Sequence, residues 1–163
     1  MAQVFIGVGS NIDPERNIKS GVKAMRQCFG ELVISPIYES VAVGFEGDNF
    51  YNFVVRFETE LSPKELAKRL HEIEFEFGRN KHETRFSSRT LDLDLLLYDD
   101  LVIDQDHLQI PREDVLKYAF VLKPLAEIAG ELTYPVTGER YNELWNRFDK
   151  QCKDLWSVNI DLD

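Results

Sequence analysis

The sequence predicts an α/β (α+β) fold with a ferredoxin-like βαββαβ core, in which helices cover a mainly antiparallel sheet and helical and hairpin additions follow. Three observations support this prediction. Strand-like and helix-like segments alternate in the order β-α-β-β-α-β over residues 3–98. A chain of 163 residues with 44% hydrophobic content can bury a substantial core. No repeat or linker divides it, so we expect a single domain over residues 1–163.

The first two predicted elements are a buried strand and an amphipathic helix. Residues 3–8 form a short apolar run, and we expect Gly7-Val8-Gly9 to make a tight turn. Asp13 and Pro14 are typical of an N-cap and a first helical residue. Apolar residues then recur at the spacing of one helical face, which Gly30 ends. These apolar residues are Ile18, Val22, Met25 and Phe29.

The next two predicted elements are strands. Residues 31–43 are rich in β-branched and aromatic side chains, and Pro36 confines such a strand to a sheet edge or a bulge. After the loop GFEGDN, the segment FYNFVVRFET alternates with period 2, which predicts a strand with one face in the core. That face comprises Phe53, Val55 and Phe57.

The second helix has the clearest local signal in the chain. Ser62, Pro63 and Glu65 form a capping-box start. The buried stripe that follows, up to Gly78, is Leu66, Leu70, Ile73 and Phe77.

The remaining elements complete the predicted core and add to it. A strand is expected over residues 91–98. Beyond it, Leu101 to Ile103 would form a short hairpin through Asp99-Asp100. Residues 113–129 and 140–148 have helical patterns.

Two acids in the strand 91–98 are the first candidate for chemistry. Asp92 and Asp94 point to one side, about 6.6 Å apart along the backbone. The leucines expected on the other side are Leu91, Leu93, Leu95 and Leu97. Paired carboxylates repel each other unless a cation lies between them, and Mg²⁺ combines one or two carboxylates with waters and substrate phosphates. Acids that protect an exposed strand from mispairing are the alternative interpretation.

The polar arm before this strand, residues 79–90, favours the metal and phosphate interpretation. From Arg79 to Arg89 it carries four cations and one anion, a net charge of +3, in a chain of net charge −10. The cations are Arg79, Lys81, Arg85 and Arg89. Guanidinium groups match phosphate oxygens, and an arm of this length can close over a ligand. The alternative, a solvated loop paired with nearby acids, gains typically less than about 1 kcal/mol per pair.

Phe50 and Asn52 suggest a second substrate. They lie two apart at the start of a strand, so they share a face, and a ring with an amide suits a flat heterocycle. On the residues alone, a core aromatic beside a turn asparagine is the more common explanation. Phe120 likewise fits a core position more often than a stacking position.

Composition and missing motifs argue against several other binding partners, locations and types of site. The balance of 29 acidic against 19 basic residues argues against nucleic-acid and anionic-membrane partners. Cys28 and Cys152 have no metal-ligand spacing, and the segment MAQVFIGVGSN is too short for a signal peptide or membrane span, so we expect a cytoplasmic protein. The spacings of a Rossmann fingerprint, a P-loop, a zinc site and a covalent nucleophile are absent.

Five motifs occur in a characteristic order: GVGSN, FYNFVV, EFGR, RTLDLDLLLY and IPREDVLKYAFVLKPLAEIA. Together they resemble the 6-hydroxymethyl-7,8-dihydropterin pyrophosphokinase family of folate biosynthesis, over nearly the whole chain. The resemblance implies a transferase in which the pterin's hydroxymethyl oxygen attacks the β-phosphorus of ATP and AMP leaves. It also implies two Mg²⁺ ions held by Asp92 and Asp94, with the pterin and ATP as small-molecule partners. We expect the protein to be a monomer.

The resemblance also assigns site residues. It implies that the pterin lies between Phe50 and Phe120, with Asn52 and main-chain groups near Ser40 and Val43 at its edges. Catalytic roles fall on Arg79 and Arg89, which grip phosphate, and on Asp94. Positions near the nucleotide are Glu74, Lys81, Arg85 and Arg112.

This chain departs from the family pattern at three places. Arg112 follows Pro111 where a histidine is common, Tyr118 stands where an arginine is usual, and Phe86 replaces a customary tryptophan. Two alternatives therefore stand beside the pyrophosphokinase. One is a slow or divergent paralogue that serves as a pterin- or nucleotide-binding module, and the other is a different two-metal nucleotidyl transferase.

Overall fold

The core of the fold is a mainly antiparallel sheet with helices on both faces. The structure is a computed structural model that describes residues 1–41, 47–77, 90–148 and 155–162. Its strands are β1 (Ala2–Ser10), β2 (Val33–Ile34), β3 (Ile37–Ser40), β4 (Phe50–Thr59), β5 (Asp92–Tyr98), β6 (Ile103–Gln105), β7 (Leu108–Ile110) and β8 (Leu155–Val158). Its helices are α1 (Pro14–Phe29), α2 (Pro63–Glu76), α3 (Asp114–Lys117), α4 (Ala119–Ala129) and α5 (Tyr141–Arg147).

The strand order confirms the ferredoxin-like prediction. In the main sheet the order is β5-β1-β4-β3-β8, and β2 also pairs with β4. β4 is antiparallel to both β1 and β3. β1 and β3 are therefore parallel to each other, with β4 between them. In the same way β1 separates β4 from β5. The chain thus contains two split βαβ units, connected through α1 and α2.

The first face of the sheet packs on α1 and α2, as the helix patterns predicted. Ile18, Val22 and Met25 of α1 are fully buried, and half-buried Phe29 stacks on Phe57 with ring centroids 4.4 Å apart. Gly30 ends α1 with φ of +83°, a conformation that favours glycine.

The helix starts differ from each other. Ser62 Oγ accepts a hydrogen bond from the Glu65 N–H at 3.2 Å, and the Glu65 carboxylate accepts one from the Ser62 N–H, so the predicted capping box is confirmed. Asp13 takes the N-cap position of α1 in a left-handed conformation, and its side chain makes no capping hydrogen bond. The carboxylate instead lies 3.7 Å from Arg16.

The second face of the sheet is also buried, so the prediction that β4 has only one core face is wrong. Val54 is 1% exposed and belongs to a second apolar cluster with Phe5 and residues of α4. The expected position of Leu97 is also wrong, because it packs in this second cluster. The cause is a register break in β5: Ile6 pairs with Leu95 and Phe5 with Leu97, which leaves Leu96 as an extra residue of a β-bulge.

The structure corrects three further predictions, which concern two turns and one strand. Gly7-Val8-Gly9 lies inside β1 and is no turn, because β4 and β5 pair with it from both sides. The predicted strand 31–43 is split at Ser35-Pro36, where Ser35 bonds to the Val54 backbone. The hairpin after β5 is formed by β6 and β7 around Asp106-His107, both with positive φ, and Asp99-Asp100 is a separate turn.

The C-terminal additions contain one further correction and one new strand. The helix predicted over 113–129 is two helices, α3 and α4, because Tyr118 between them is extended. The helix predicted over 140–148 is confirmed as α5. β8 extends the sheet beyond β3, so β3 is no edge strand. Within the described ranges, no helix combines the length and apolar character that crossing a membrane requires.

Candidate active site

One face of the sheet brings together most of the described site residues. In the strand register, Gly9 lies between Asp92 of β5 and Asn52 of β4, while Gly7 lies opposite Asp94. Directly paired residues share a face. By the same rule, the pair of Ser40 and Phe50 also lies on this face. The register therefore places Asp92, Asp94, Asn52, Phe50 and Ser40 on the sheet face that α4 partly covers.

The glycines of β1 form a floor without side chains between these groups. A Cβ atom at Gly9 would lie 2.7 Å from Asn52 Oδ1, closer than such contacts allow. At Gly7 the same atom would meet the Leu96 side chain at 3.5 Å, which is ordinary contact. Gly9 therefore leaves room for the Asn52 amide to lie directly over β1, and a side chain at this position would displace that amide.

The two aspartates are half-buried, and Glu74 holds the backbone between them. The Leu93 N–H, between Asp92 and Asp94 in the strand, donates to Glu74 Oε2 at 2.8 Å. The other oxygen of this fully buried carboxylate lies 2.9 Å from Nδ1 of His71. Glu74 thus contacts the backbone of β5. Its role toward a nucleotide stays a prediction.

Arg112 reaches the same pair of aspartates from the segment after β7. Its guanidinium Nη2 lies 3.7 Å from Asp94 Oδ1, and its Nε lies 3.4 Å from Asp114 Oδ2. Its backbone N–H donates to the Leu96 carbonyl at 3.0 Å, which fixes the residue beside β5. Burial lowers the pKa of Arg112, and attraction to Asp94, Asp114 and Asp92 outweighs burial and raises it. Arg112 therefore remains a cation.

Sequence reasoning missed Asp114. Its side chain is only 9% exposed, and it forms the second carboxylate contact of Arg112. The charge pattern Arg-x-Asp directly after Pro111 is the signal that would have found it.

Sequence reasoning also missed the roles of Ser10 and Asn11, which end the motif GVGSN. Buried Ser10 donates from Oγ to the Thr90 carbonyl at 2.6 Å, and Thr90 leads into β5. Buried Asn11 donates from Nδ2 to the Asp48 carbonyl at 3.1 Å, and Asp48 leads toward β4. These two side chains hold the starts of both strands that carry the candidate site.

Ser40, a predicted pterin contact, has a buried hydroxyl. Its Oγ has no hydrogen-bond partner among the described residues, although the residue is only 6% exposed. Buried hydroxyl groups in folded proteins nearly always have a partner, so a ligand that supplies one would suit this position.

The aromatic residues at the start of α4 pack on each other. Half-buried Phe120 stacks on Tyr118, with ring centroids 4.9 Å apart and an interplanar angle of 13°. Tyr118, which stands where the family usually has an arginine, thus extends the aromatic surface of Phe120. The Lys117 ammonium lies 5.5 Å from the Tyr118 ring centroid.

Five predicted site residues lie outside the described residues. They are Val43, Arg79, Lys81, Arg85 and Arg89. Their assigned roles stay predictions.

The donor set fits a magnesium ion better than a zinc ion. Within the described ranges, no group of three or more histidine, cysteine or acidic side chains has the arrangement of a metal site. Asp92 and Asp94 offer two carboxylates on one half-buried face. Mg²⁺ takes one or two carboxylates and completes its shell with waters and phosphates, whereas zinc sites in proteins usually have three or four protein ligands. The two carboxylates, the amide and the aromatic ring of this face are thus the kinds of group that bind a metal-bound phosphate and a flat ring.

Known proteins match this chain over most of its length. The family model of 7,8-dihydro-6-hydroxymethylpterin-pyrophosphokinase matches residues 5–130. A 2-amino-4-hydroxy-6-hydroxymethyldihydropteridine pyrophosphokinase of Aquifex aeolicus is 37% identical over 138 residues, 83% of this chain and 86% of that protein. The protein of the same name from Bacillus subtilis is 36% identical over 151 residues, 90% of each chain.

Solved structures support the fold. A crystal structure of the Plasmodium falciparum HPPK-DHPS triple mutant S436F/A437G/A613S with SDX-DHP superposes with a TM-score of 0.75 at 13% identity. That superposition covers 90% of this chain and 41% of the solved chain, so this chain spans less than half of that protein. The family-model match and the curated relatives give the same answer, and the chain belongs to the 7,8-dihydro-6-hydroxymethylpterin-pyrophosphokinase family.

Proposed function

We propose that this chain transfers pyrophosphate from ATP to the hydroxymethyl group of 6-hydroxymethyl-7,8-dihydropterin on the sheet face of Asp92 and Asp94. Family membership supports the reaction, a step of folate biosynthesis. The placement of both aspartates, Asn52, Phe50 and Ser40 on one face is the observation that supports the assignment of residues.

Asp92 and Asp94 would hold magnesium, two ions in our proposal. Bound there, the ions would neutralise charge on the β- and γ-phosphates of ATP. The residues of this chain would arrange the substrates around them. Glu74 accepts a hydrogen bond from the Leu93 N–H and so holds the backbone between the two aspartates.

The pterin would lie between Phe50 and Phe120, against the Asn52 amide. A flat ring stacks well on aromatic side chains, and an amide carries both a donor and an acceptor for its edge. The Ser40 hydroxyl, which has no hydrogen-bond partner in the described part of the chain, is a further candidate for a polar contact.

The reaction needs positioning more than a covalent group on the protein. The hydroxymethyl oxygen forms a bond to the β-phosphorus and loses its proton, while the bond from that phosphorus to the bridging oxygen of AMP breaks. Arg79 and Arg89 would stabilise the negative charge that spreads over the transferred group. No phosphorylated side chain is required.

Gly9→Ala is expected to weaken pterin binding about tenfold, because the new methyl group displaces the Asn52 amide. Binding of ATP with Mg²⁺ should change much less. Titration of each substrate by calorimetry measures both effects. The matched control is Gly7→Ala, whose methyl group has room beside Leu96. Equal pterin affinities for the two variants would contradict the role given to Asn52.

The reaction is tested by its nucleotide product. With ATP, Mg²⁺ and the hydroxymethyl-dihydropterin, the protein should form AMP and pterin diphosphate in equal amounts. Formation of ADP, or release of pyrophosphate without dependence on the pterin, would contradict the proposal and favour another two-metal transferase. Pterin binding without any turnover would favour a binding module.

We also propose that the chain works as one domain and as a cytoplasmic monomer. The strands that carry Asp92, Asp94, Phe50, Asn52 and Ser40 belong to one continuous sheet. Cys28 is exposed and forms no disulfide within the described residues, which suits a reducing compartment, and Cys152 lies outside those residues. Sedimentation at micromolar concentration would test the monomer.

A further inference from the structure

Arg112 occupies an unusual electrostatic position in this protein. Its guanidinium lies between two carboxylates, Asp94 at 3.7 Å and Asp114 at 3.4 Å. All three groups are at least partly shielded from water: the exposed fractions of the side chains are 34% for Arg112, 27% for Asp94 and 9% for Asp114. Partial burial strengthens such interactions compared with those at an open surface.

The position of the backbone prevents Arg112 from leaving this neighbourhood. The Arg112 N–H bonds to the carbonyl of Leu96, two residues after Asp94, and the Arg112 carbonyl accepts from the Val115 N–H at 3.1 Å. The backbone of Arg112 is therefore fixed, and only its side chain can change its ion-pair partner. Among the described residues, its ion-pair partners are the two carboxylates, and a phosphate within reach of the guanidinium would be a further partner.

A divalent ion at Asp94 would compete with this guanidinium. Both are cations, and both interact with the same carboxylate. An ion that binds without a nucleotide must displace Arg112 and tolerate its charge nearby. A nucleotide changes this balance, because its phosphates give the guanidinium a new anionic partner with matching forked geometry.

We propose that Arg112 is an internal counter-ion of the aspartate pair. In the free protein its guanidinium contacts Asp94, and when metal and nucleotide bind together the guanidinium moves to the phosphates. The inference rests on the proposed metal role of Asp92 and Asp94. This exchange of partners would couple metal binding to nucleotide binding, because each ligand makes binding of the other more favourable. Arg112 is thus a residue that sets the order and coupling of loading.

The coupling is measurable with Mn²⁺ as the probe, because free Mn²⁺ is quantified by electron paramagnetic resonance. Arg112→Gln is expected to bind Mn²⁺ about 3- to 10-fold more tightly than the wild-type protein when nucleotide is absent. The factor by which α,β-methylene-ATP tightens Mn²⁺ binding should shrink in the same variant. Arg112→Lys keeps the charge but not the fork, so its Mn²⁺ affinity without nucleotide should stay within about twofold of wild type.

The matched control is Arg140→Gln. Arg140 is 57% exposed and pairs with Glu131, which lines a groove with Gln3 near the other end of β1. This variant changes the net charge equally but should leave Mn²⁺ affinity unchanged. If Arg112→Gln and Arg140→Gln give the same Mn²⁺ affinity, and the nucleotide effect is undiminished, the counter-ion inference is wrong.

Asp94→Asn separates this inference from the function on which it rests. If Asp94→Asn loses Mn²⁺ binding while Arg112→Gln has no effect, the metal site is supported. Only the proposed role of Arg112 is then contradicted. Mn²⁺ binding to Asp94→Asn at wild-type affinity, with nucleotide present, overturns the metal site itself. Circular dichroism spectra matching the wild-type spectrum establish that each variant is folded.

Discussion

Replacement of Asp94 by asparagine is expected to lower kcat by a factor of about 100 or more, with the fold intact. The carboxylate supplies a charged oxygen ligand to a divalent ion, and the amide of asparagine is a much poorer one. Asp94 lies opposite Gly7 on a half-buried face and belongs to neither apolar cluster. When the Asp94 charge is removed, Arg112 keeps Asp114 as a carboxylate partner, so the variant is expected to stay folded.

Rates of AMP formation at saturating substrates measure this effect, and thermal unfolding followed by circular dichroism measures stability. Asp104→Asn is the matched control, because Asp104 lies exposed on β6. Asp92→Asn should resemble Asp94→Asn, since the two residues share a strand and a face. Turnover of Asp94→Asn within twofold of wild type would show that this carboxylate holds no catalytic metal.

Arg89→Ala is the second change with a large expected effect, a decrease in kcat of about 100- to 1000-fold. The pterin should still bind with an affinity within a few-fold of wild type, because a phosphate contact acts on the transferred group. Arg89 lies outside the described residues, but the next residue, Thr90, is fixed by Ser10 and leads directly into β5. The prediction therefore rests on the family resemblance and on this neighbouring residue.

Single-turnover rates with bound ATP separate the chemical step from product release for this variant. Arg89→Lys is the matched comparison, because it keeps the charge and removes the forked donors. We expect an intermediate rate for it. Unchanged single-turnover rates for Arg89→Ala would remove Arg89 from the catalytic residues, and a change confined to pterin affinity would move it to the pterin site.

The parts of the fold that the sequence predicts well are those specified by local chemistry. The capping box of Ser62 and Glu65 needs only residues three apart. The buried stripe of α1 follows from helical spacing, and the common face of Asp92 and Asp94 follows from the period of a strand. The order βαββαβ then leaves few ways to bury the apolar faces.

The parts that the sequence does not predict depend on contacts between distant segments. The bulge at Leu96 is set by the register with β1, and it reverses the face of Leu97. The turn at Asp106-His107 has positive φ at both residues without a glycine. β8 gains its pairing from β3, more than a hundred residues earlier. Such features arise from tertiary pairing, which overrides local preference.

In the candidate site, too, local features are predicted from the sequence and contacts between distant segments are not. The aspartate pair and the strand position of Asn52 follow from the sequence pattern. The contact of Arg112 with Asp94 joins separate elements, and so do the bonds from Ser10 to Thr90 and from Glu74 to Leu93. Residue spacing alone contains no information about these contacts. The family resemblance names Arg112 and Glu74, but the structure supplies what they touch.

A crystal structure with Mg²⁺, α,β-methylene-ATP and the hydroxymethyl-dihydropterin tests the central claim most directly. We expect magnesium bound to both Asp92 and Asp94, triphosphate oxygens completing its shell, and the pterin ring between Phe50 and Phe120. The hydroxymethyl oxygen should face the β-phosphorus. A nucleotide bound elsewhere, or two aspartates that face bulk water with no metal between them and the phosphates, would contradict the account.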